Sequence, residues 1–363
     1  MADDIRYMQY ALALAQRGAG RTSPNPSVGC VVVSKEGRIV GAARSADGGR
    51  PHAETQALAQ AGDRAHGATA YVTLEPCATV TATPSCADCL IEAGIARVVS
   101  GFQDPDHRTC GNGFAKLRAA GVDVKTDVLA RDAERVHAGF ISRVLHGRPL
   151  VTLKIAQSLD GRTASASGDS KWITGEEARR YGHLLRARND AILIGSGTAL
   201  ADDPELTCRI PGLEDFSPLR VVLDTRLRLN EWSKLAQTAK DIPTLVFTTS
   251  EGGGALSAAG AEVLQIERDV AGRPSIDAVL KTLAQRGVNT LLVEGGASVH
   301  AAFIDGGFAD RLEVFHAPLL LGGSGHNSID ALAALGLDEA PRFVAEFRHI
   351  LGRDLVESFA REA

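Results

Sequence analysis

The sequence predicts an α/β protein of two domains, each built from alternating strands and helices. Three observations lead to this. Short apolar runs rich in Val, Ile and Leu alternate with longer segments whose apolar residues recur at helical spacing. The alternation stops at His146-Gly147-Arg148-Pro149, where glycine and proline end a helix, and then restarts. A chain of 363 residues is also long enough for two domains. The boundary places one domain at 1–146 and the other at 147–363.

In the first domain, helix 5–18 carries apolar positions at helical spacing. Residues 28–33 and 38–43 read as strands around the turn Lys35-Glu36-Gly37. Helix 53–61 follows Pro51, a residue suited to a helix start. Then come strand 70–74, helix 86–93, strand 97–101, helix 113–120, strand 122–126 and helix 131–145. This order gives a mixed sheet with helices on both faces. The second domain runs as strand 150–156, helix 176–187 and strands 191–195, 220–224, 243–248 and 262–266. It continues with helix 275–286, strand 290–294, helix 297–305 and strand 311–317. Glu251-Gly-Gly-Gly254 reads as a surface turn.

Composition narrows the function classes. With 44% hydrophobic and 23% charged residues the chain has ordinary globular usage. A net charge of −5 and a pI near 6.1 provide no basic footprint for nucleic acid. No apolar run is long enough to span a membrane, and Met-Ala-Asp-Asp is acidic where a signal peptide is basic. A cytoplasmic protein is expected, and six cysteines in such a chain point to metal binding before disulfides. Cys30, Cys110 and Cys208 lie in no ligand pattern and read as packing residues.

The chemistry concentrates between Pro51 and Cys86. Pro51-His52-Ala-Glu54 is followed by Glu75-Pro76-Cys77 and, eight residues later, Cys86. His52, Cys77 and Cys86 can fill three positions of a tetrahedral zinc ion and leave the fourth open, as catalytic sites do. One Zn2+ per chain is expected, lowering the pKa of a water from about 16 to about 7. Glu54 would stand beside the metal as proton carrier, in the signature of nucleobase and nucleotide deaminases. His52 and Cys86 each open a predicted helix, whose positive end favours thiolate. Cys86-Ala-Asp-Cys89 also offers the commoner two-residue spacing. Cys89 would lie nearly a full turn into the helix and reads as a packed side chain. The plainer interpretation of the set is a buried histidine with inert cysteines.

The second domain lacks a Gly-x-Gly-x-x-Gly fingerprint. Gly195-Ser-Gly-Thr198 and Gly295-Gly-Ala-Ser298 each follow a strand, however, and offer backbone amides near a helix start, where phosphates bind. Plain turns use the same residues.

These residues together resemble a known family. Pro24-Asn25-Pro26-Ser27-Val28-Gly29, Pro51-His-Ala-Glu54 and Thr73-Leu-Glu-Pro-Cys77 are similar to the deaminase half of the bifunctional riboflavin-biosynthesis deaminase/reductases. Ser158-Leu-Asp-Gly-Arg-Thr163, Ser170-Lys-Trp-Ile-Thr174, Thr198-Ala-Leu-Ala-Asp-Asp-Pro-Glu-Leu-Thr207 and Glu294-Gly-Gly296 are similar to the reductase half. The resemblance covers nearly the whole chain. It implies a cytidine-deaminase-like three-layer domain followed by a dihydrofolate-reductase-like α/β domain. It also implies hydrolytic deamination of a diaminopyrimidine ribosyl phosphate, then reduction of the ribosyl group to ribityl with NADPH. Expected partners are small pyrimidine ribosyl phosphates, with no nucleic acid and no membrane, in a homo-oligomer.

Carried over by position, the resemblance assigns Asn25 to the deaminase substrate. Lys154, Ser170, Arg186, Asp203, Leu206, Arg209 and Glu294 go to the reductase substrate. Ala156, Trp172, Thr174, Thr198, Asp202, Thr225, Gly295, Gly296, Ala297 and Ser298 go to the cofactor. Arg226 joins them by analogy with arginines that accept an adenosine 2′-phosphate, its other reading being a solvated surface arginine. The deaminase pocket departs from the family pattern. Ala78-Thr-Val-Thr-Ala82 stands where a histidine-containing stretch and a Lys or Arg are usual, and Ser45 replaces an upstream histidine. Arg44, Arg50 or Arg108 would then meet the substrate phosphate, Arg50 first by its closeness to His52. Three other readings stay open: a deaminase domain turned to another heterocycle, a structural zinc, and a nucleic-acid deaminase. The last is disfavoured by the acidic pI.

Overall fold

The computed structural model describes residues 2–79, 84–107, 109–171, 173–334 and 336–362. Its chain separates into two units, Met1–Arg148 with Ala284–Asn289, and Pro149–Leu283 with Thr290–Ala363.

In the first unit α1 (Ala2–Gln16), β1 (Gly29–Val33), β2 (Ile39–Arg44), α2 (Ala53–Ala61), β3 (Thr69–Val72), α3 (Cys86–Glu92), β4 (Arg97–Ser100), α4 (Asn112–Ala119), β5 (Asp123–Lys125) and α5 (Ala130–His146) follow in order. The sheet order is β2-β1-β3-β4-β5. β1 pairs antiparallel with both neighbours, while β3, β4 and β5 run parallel. Side chains alternate across a strand, so Cys30, Val32, Val72 and Val98 meet Ala53, Ala57, Leu90 and Leu117 of α2, α3 and α4. Val31, Val33, Tyr71 and Val99 meet Tyr7, Met8, Leu12 and Ala133 of α1 and α5 on the other face. Three layers result, as the resemblance implied. Backbone approaches closely on each face: a methyl group on Gly29 would collide with the Ala11 carbonyl, and one on Gly41 with that of Ala57. Either substitution would overpack the layers at a cost of about 1–3 kcal/mol.

The second unit continues with β6 (Leu150–Ser158), β7 (Arg162–Ala164), α6 (Glu176–Ala187), β8 (Ala191–Gly195), α7 (Ser196–Asp202), β9 (Leu219–Leu223), α8 (Lys234–Gln237), β10 (Thr244–Thr248), α9 (Gly254–Ala259), β11 (Glu262–Gln265), α10 (Ile276–Gln285), β12 (Thr290–Val293), α11 (Ala297–Asp305), β13 (Arg311–Ala317), β14 (His326–Asn327), β15 (Phe343–Leu351) and β16 (Asp354–Arg361). Nine strands form one sheet in the order β11-β10-β9-β8-β12-β6-β13-β16-β15. It is parallel from β11 to β13 and antiparallel beyond. One face packs Ile192, Ile194, Val222, Val246 and Phe315 against Ala178 and Leu185 of α6 and Leu235 of α8. The alternate residues Leu153, Ile155, Leu193 and Leu291 are buried too. The carboxyl ends of the parallel strands therefore lie at one edge, where ligands bind in sheets of this kind.

Several elements depart from the sequence reading. The turn expected at Glu251–Gly254 ends one residue early, because Gly254 opens α9. α7, α8, β7 and β14 are short and lie in stretches read as loops. The hairpin β15–β16 was not expected at all. Its turn falls at Gly352 (φ 62), and β16 buries Asp354 and Ser358 while β15 leaves Val344 and Ile350 exposed, so in neither strand does an apolar/polar alternation of residues mark the buried face.

Candidate active sites

The first site forms where two helices begin beside the carboxyl end of β3. His52 is the residue preceding α2, in extended conformation (φ −66°, ψ 160°). Cys86 is the first residue of α3, whose Ser85 cap accepts from the Asp88 amide at 3.2 Å. His52 Nδ1 lies 3.1 Å from Cys86 Sγ and 3.7 Å from Cys77 Sγ. The Cys86 amide donates to Cys77 Sγ at 3.3 Å. The three ligand atoms lie within 4.8 Å of one another, a triangle that one zinc can bridge. Cys89 is half-buried and belongs to no such group among the described residues.

Glu54 stands on the first turn of α2 with its side chain buried, and its Oε2 has no hydrogen-bond partner. Burial, ahead of every charge around it, pushes its pKa up. An orphaned carboxylate oxygen beside one imidazole and two thiols fits a metal with an open position. The sulfurs already share charge. Hydrogen bonding with Cys86, opposed by burial and helped by His52, lowers Cys77 to about 4, while the same pairing and burial raise Cys86. The hydrogen bond with Cys77 raises His52, and Arg50 acts weakly in the opposite direction. A bound dication would hold both sulfurs as thiolates.

Glu75 does something the sequence did not reveal. Its buried carboxylate accepts from four backbone amides: Asp104 (3.2 Å) and Gly111 (2.9 Å) on Oε2, Gly113 (2.9 Å) and Phe114 (3.2 Å) on Oε1. It caps the start of α4 and ties the segment after β4 to the strand end that carries Cys77. A methyl group on Gly113 would meet the Pro76 carbonyl, so this segment lies directly on Pro76. Within it, Asp104 is buried and raised to about 6, chiefly by burial.

The expected phosphate contacts separate. Arg44 donates to the Ser45 carbonyl and to Asp47, both at 2.7 Å, and lies against Gly18 at the end of α1. Arg50 is exposed. Arg108 and residues 80–83 lie outside the described residues. Ser45, in place of the usual histidine, accepts from the Val28 amide and donates to the Pro26 carbonyl, which fixes the segment carrying half-buried Asn25.

The second unit gathers Lys154, Arg186 and Glu294 at the end of β12. Arg186 donates from Nε and Nη2 to the two oxygens of Glu294 at 2.8 and 2.9 Å, a bidentate pair. Lys154 Nζ is 3.9 Å from Glu294 Oε2 and 5.3 Å from the Phe315 ring centroid. Burial opposes the ionised form of Glu294, but Arg186 and then Lys154 outweigh it and lower the carboxyl to about 2. Leu206 is buried, whereas Arg209 is exposed and 3.4 Å from Glu205. Asp203 turns its carboxylate to the Lys234 amide at 2.9 Å, Asp202 and Ser170 are exposed, and Ala156 and Thr174 are half-buried. Trp172 lies outside the described residues.

The two glycine-rich loops meet. A methyl group on Gly195 would come 2.9 Å from Val299 and one on Gly295 2.7 Å from it, while Gly296 faces the Thr198 hydroxyl. Ala297 and Ser298 begin α11. Next to Gly195, a cavity of about 580 Å³ opens at the carboxyl ends of β8, β9, β10 and β11, lined by Ser196, Thr225, Ser250 and four arginines, Arg226, Arg228, Arg268 and Arg273. Arg228 donates to Ser196 Oγ at 2.8 Å. The sequence pointed to Arg226 alone. Arg268 and Arg273 come from a separate loop, and no local pattern links them to it.

Comparison with known proteins follows the same division. Residues 1–102 match the cytidine and deoxycytidylate deaminase zinc-binding region, and residues 149–339 match the RibD C-terminal domain. The chain is 44% identical over 322 residues to riboflavin biosynthesis protein RibD of Bacillus amyloliquefaciens, covering 88% of this chain and 85% of that one. It is 41% identical to the Aquifex aeolicus protein of that name, covering 99% and 98%. Among solved structures, Acinetobacter baumannii RibD superposes with a TM-score of 0.90 at 36% identity, over 100% of this chain and 99% of that one. A Thermotoga maritima structure described as a diaminohydroxyphosphoribosylaminopyrimidine deaminase/5-amino-6-(5-phosphoribosylamino)uracil reductase gives 0.88 at 34%, over 99% of each.

Proposed function

We propose, for a chain that belongs to the RibD family of bifunctional deaminase/reductases in riboflavin biosynthesis, a residue-by-residue division of the two reactions. The first unit deaminates 2,5-diamino-6-(5-phosphoribosylamino)pyrimidin-4-one. The second reduces the ribosyl group of 5-amino-6-(5-phosphoribosylamino)uracil to ribityl with NADPH. The observation that carries the first assignment is the His52, Cys77 and Cys86 triangle with the unpartnered Glu54 oxygen beside it.

His52, Cys77 and Cys86 would hold the zinc, which supplies a water activated near neutral pH when bound. Glu54 moves two protons in turn, the first from the attacking water to the ring nitrogen and the second from the added hydroxyl to the leaving amine. Its elevated affinity for protons suits both transfers. Asn25 orients the heterocycle, and Arg50, exposed and two residues from His52, receives the phosphate. No helix among the described residues is long and apolar enough to cross a membrane. The His52→Ala chain is expected to lose most of its zinc and its ammonia release while still oxidising NADPH with the deaminated compound. Retention of one zinc per chain would overturn the ligand set.

In the second unit Lys154 and Arg209 present cations to the sugar phosphate, and Arg186 holds Glu294 in place. Ala156, Thr174, Thr198, Thr225 and the Gly295–Ser298 loop contact the cofactor, which supplies hydride when bound. The arginine-lined cavity at Thr225 suits the dianionic 2′-phosphate that distinguishes NADPH from NADH. Arg226→Ala should therefore weaken NADPH binding about tenfold and leave NADH binding unchanged, the scale of one charge-assisted contact. Equal losses for both cofactors would remove Arg226 from the phosphate site.

A further inference from the structure

Leu206 is buried with φ 56°, in the left-handed region that a side chain of this kind enters at a cost of about 1–3 kcal/mol. Such a conformation persists only where its surroundings hold it, and here the peptide carbonyls on both sides are held. The Glu205 carbonyl accepts from Arg220 Nη1 at 3.2 Å. Arg220 is fully buried and spends its other bonds on Thr238 Oγ1 and the carbonyls of Leu235 and Ile242. The Thr207 carbonyl accepts twice, from Arg186 Nη1 and from His183 Nδ1, both at 3.1 Å. Residues 183 and 186 are three apart on α6 and so share a face. One residue on, the Cys208 amide donates to Ser217 Oγ at 3.1 Å.

A carbonyl only accepts, so His183 carries its proton on Nδ1. Of the groups on Thr207, Arg186 is also committed to Glu294, which leaves His183 as the one whose removal loosens the turn without breaking that ion pair. We propose that His183 is a positioning residue of the reductase: its Nδ1–H bond to the Thr207 carbonyl fixes the strained turn at Leu206 and thereby the placement of Leu206 and Arg209 against the ribosyl phosphate. The inference rests on the reading above that Leu206 and Arg209 meet the substrate.

The test uses the full chain, with the deaminated ribosyl phosphate and NADPH as substrates and ammonia release by the first unit as an internal control of integrity. His183→Ala should raise the reductase KM for the ribosyl phosphate about fivefold, the loss expected for one hydrogen bond. kcat and the KM for NADPH should each change less than twofold, and ammonia release should stay at the parental rate. His183→Asn, whose Nδ2 can donate from near the position of the imidazole Nδ1, should return KM to within about twofold of the parent. Arg209→Ala supplies the second arm. If it raises KM while His183→Ala does not, the positioning role is wrong and the substrate reading stands. If Arg209→Ala leaves KM unchanged, the substrate reading fails and the inference with it. An Asn variant as impaired as the Ala variant would also overturn the proposal, since the imidazole would then act through something other than this bond.

Discussion

The Glu54→Gln chain is expected to keep its zinc and to release ammonia at least about a hundredfold more slowly than the parent. The substitution preserves volume in a buried site and leaves the three ligand atoms untouched. It removes the only function assigned to the unpartnered Oε2, which is to take up and return a proton. Losing a positioned acid/base typically costs 10²- to 10⁴-fold. Zinc per chain and ammonia release are measured on the same preparation, with NADPH oxidation by the second unit as the reference. Near-parental ammonia release with zinc retained would remove Glu54 from the chemistry.

Arg186→Met is expected to lower the stability of the second unit by about 3–5 kcal/mol, the usual cost of stranding one member of a buried ion pair. Glu294 would lose both short contacts and keep only Lys154 at 3.9 Å. In the parent its carboxyl is lowered from 4.5 to about 2, so its contribution is complete above about pH 4.5 and is lost as pH falls towards 2. Without Arg186, burial dominates and raises the carboxyl instead. The variant should therefore gain stability on mild acidification towards pH 4.5, where the parent's Glu294 contribution stays constant. Denaturant unfolding of the second unit between pH 4 and 8 measures both slopes. The double variant Arg186→Met/Glu294→Met should recover much of the loss, because no charge is left buried alone. A single variant within 1 kcal/mol of the parent would show that the pair is solvated.

What was legible in the sequence was local. His52 and Cys86 could be placed at helix starts because a proline or a Thr-Pro-Ser cap precedes each, and that placement brings the ligands together. Sheet and helix alternation was readable wherever strands are buried on both faces, as in β1, β8 and β10. It was unreadable in β15 and β16, where exposed valine and isoleucine sit beside buried aspartate and serine. Convergence in space was likewise hidden. Arg226 and Arg228 follow β9, while Arg268 and Arg273 follow β11, and only the parallel pairing of β9, β10 and β11 brings them to one cavity. The ion pair of Arg44 with Asp47 was likewise not legible in the sequence.

The four amide bonds to Glu75 make this position unusually intolerant of change. Aspartate is one methylene too short to reach both pairs of amides, and glutamine would turn an N–H₂ towards two N–H groups and repel them. Glutamine or aspartate would keep at most one pair of amides bonded, and a side chain without an acceptor would free Asp104, Gly111, Gly113 and Phe114 together. The segment from β4 to α4 thus depends on a single side chain for four of its amide bonds. In a library of variants, position 75 should tolerate few replacements, although its carboxylate is not in the group of ligand atoms formed by His52, Cys77 and Cys86.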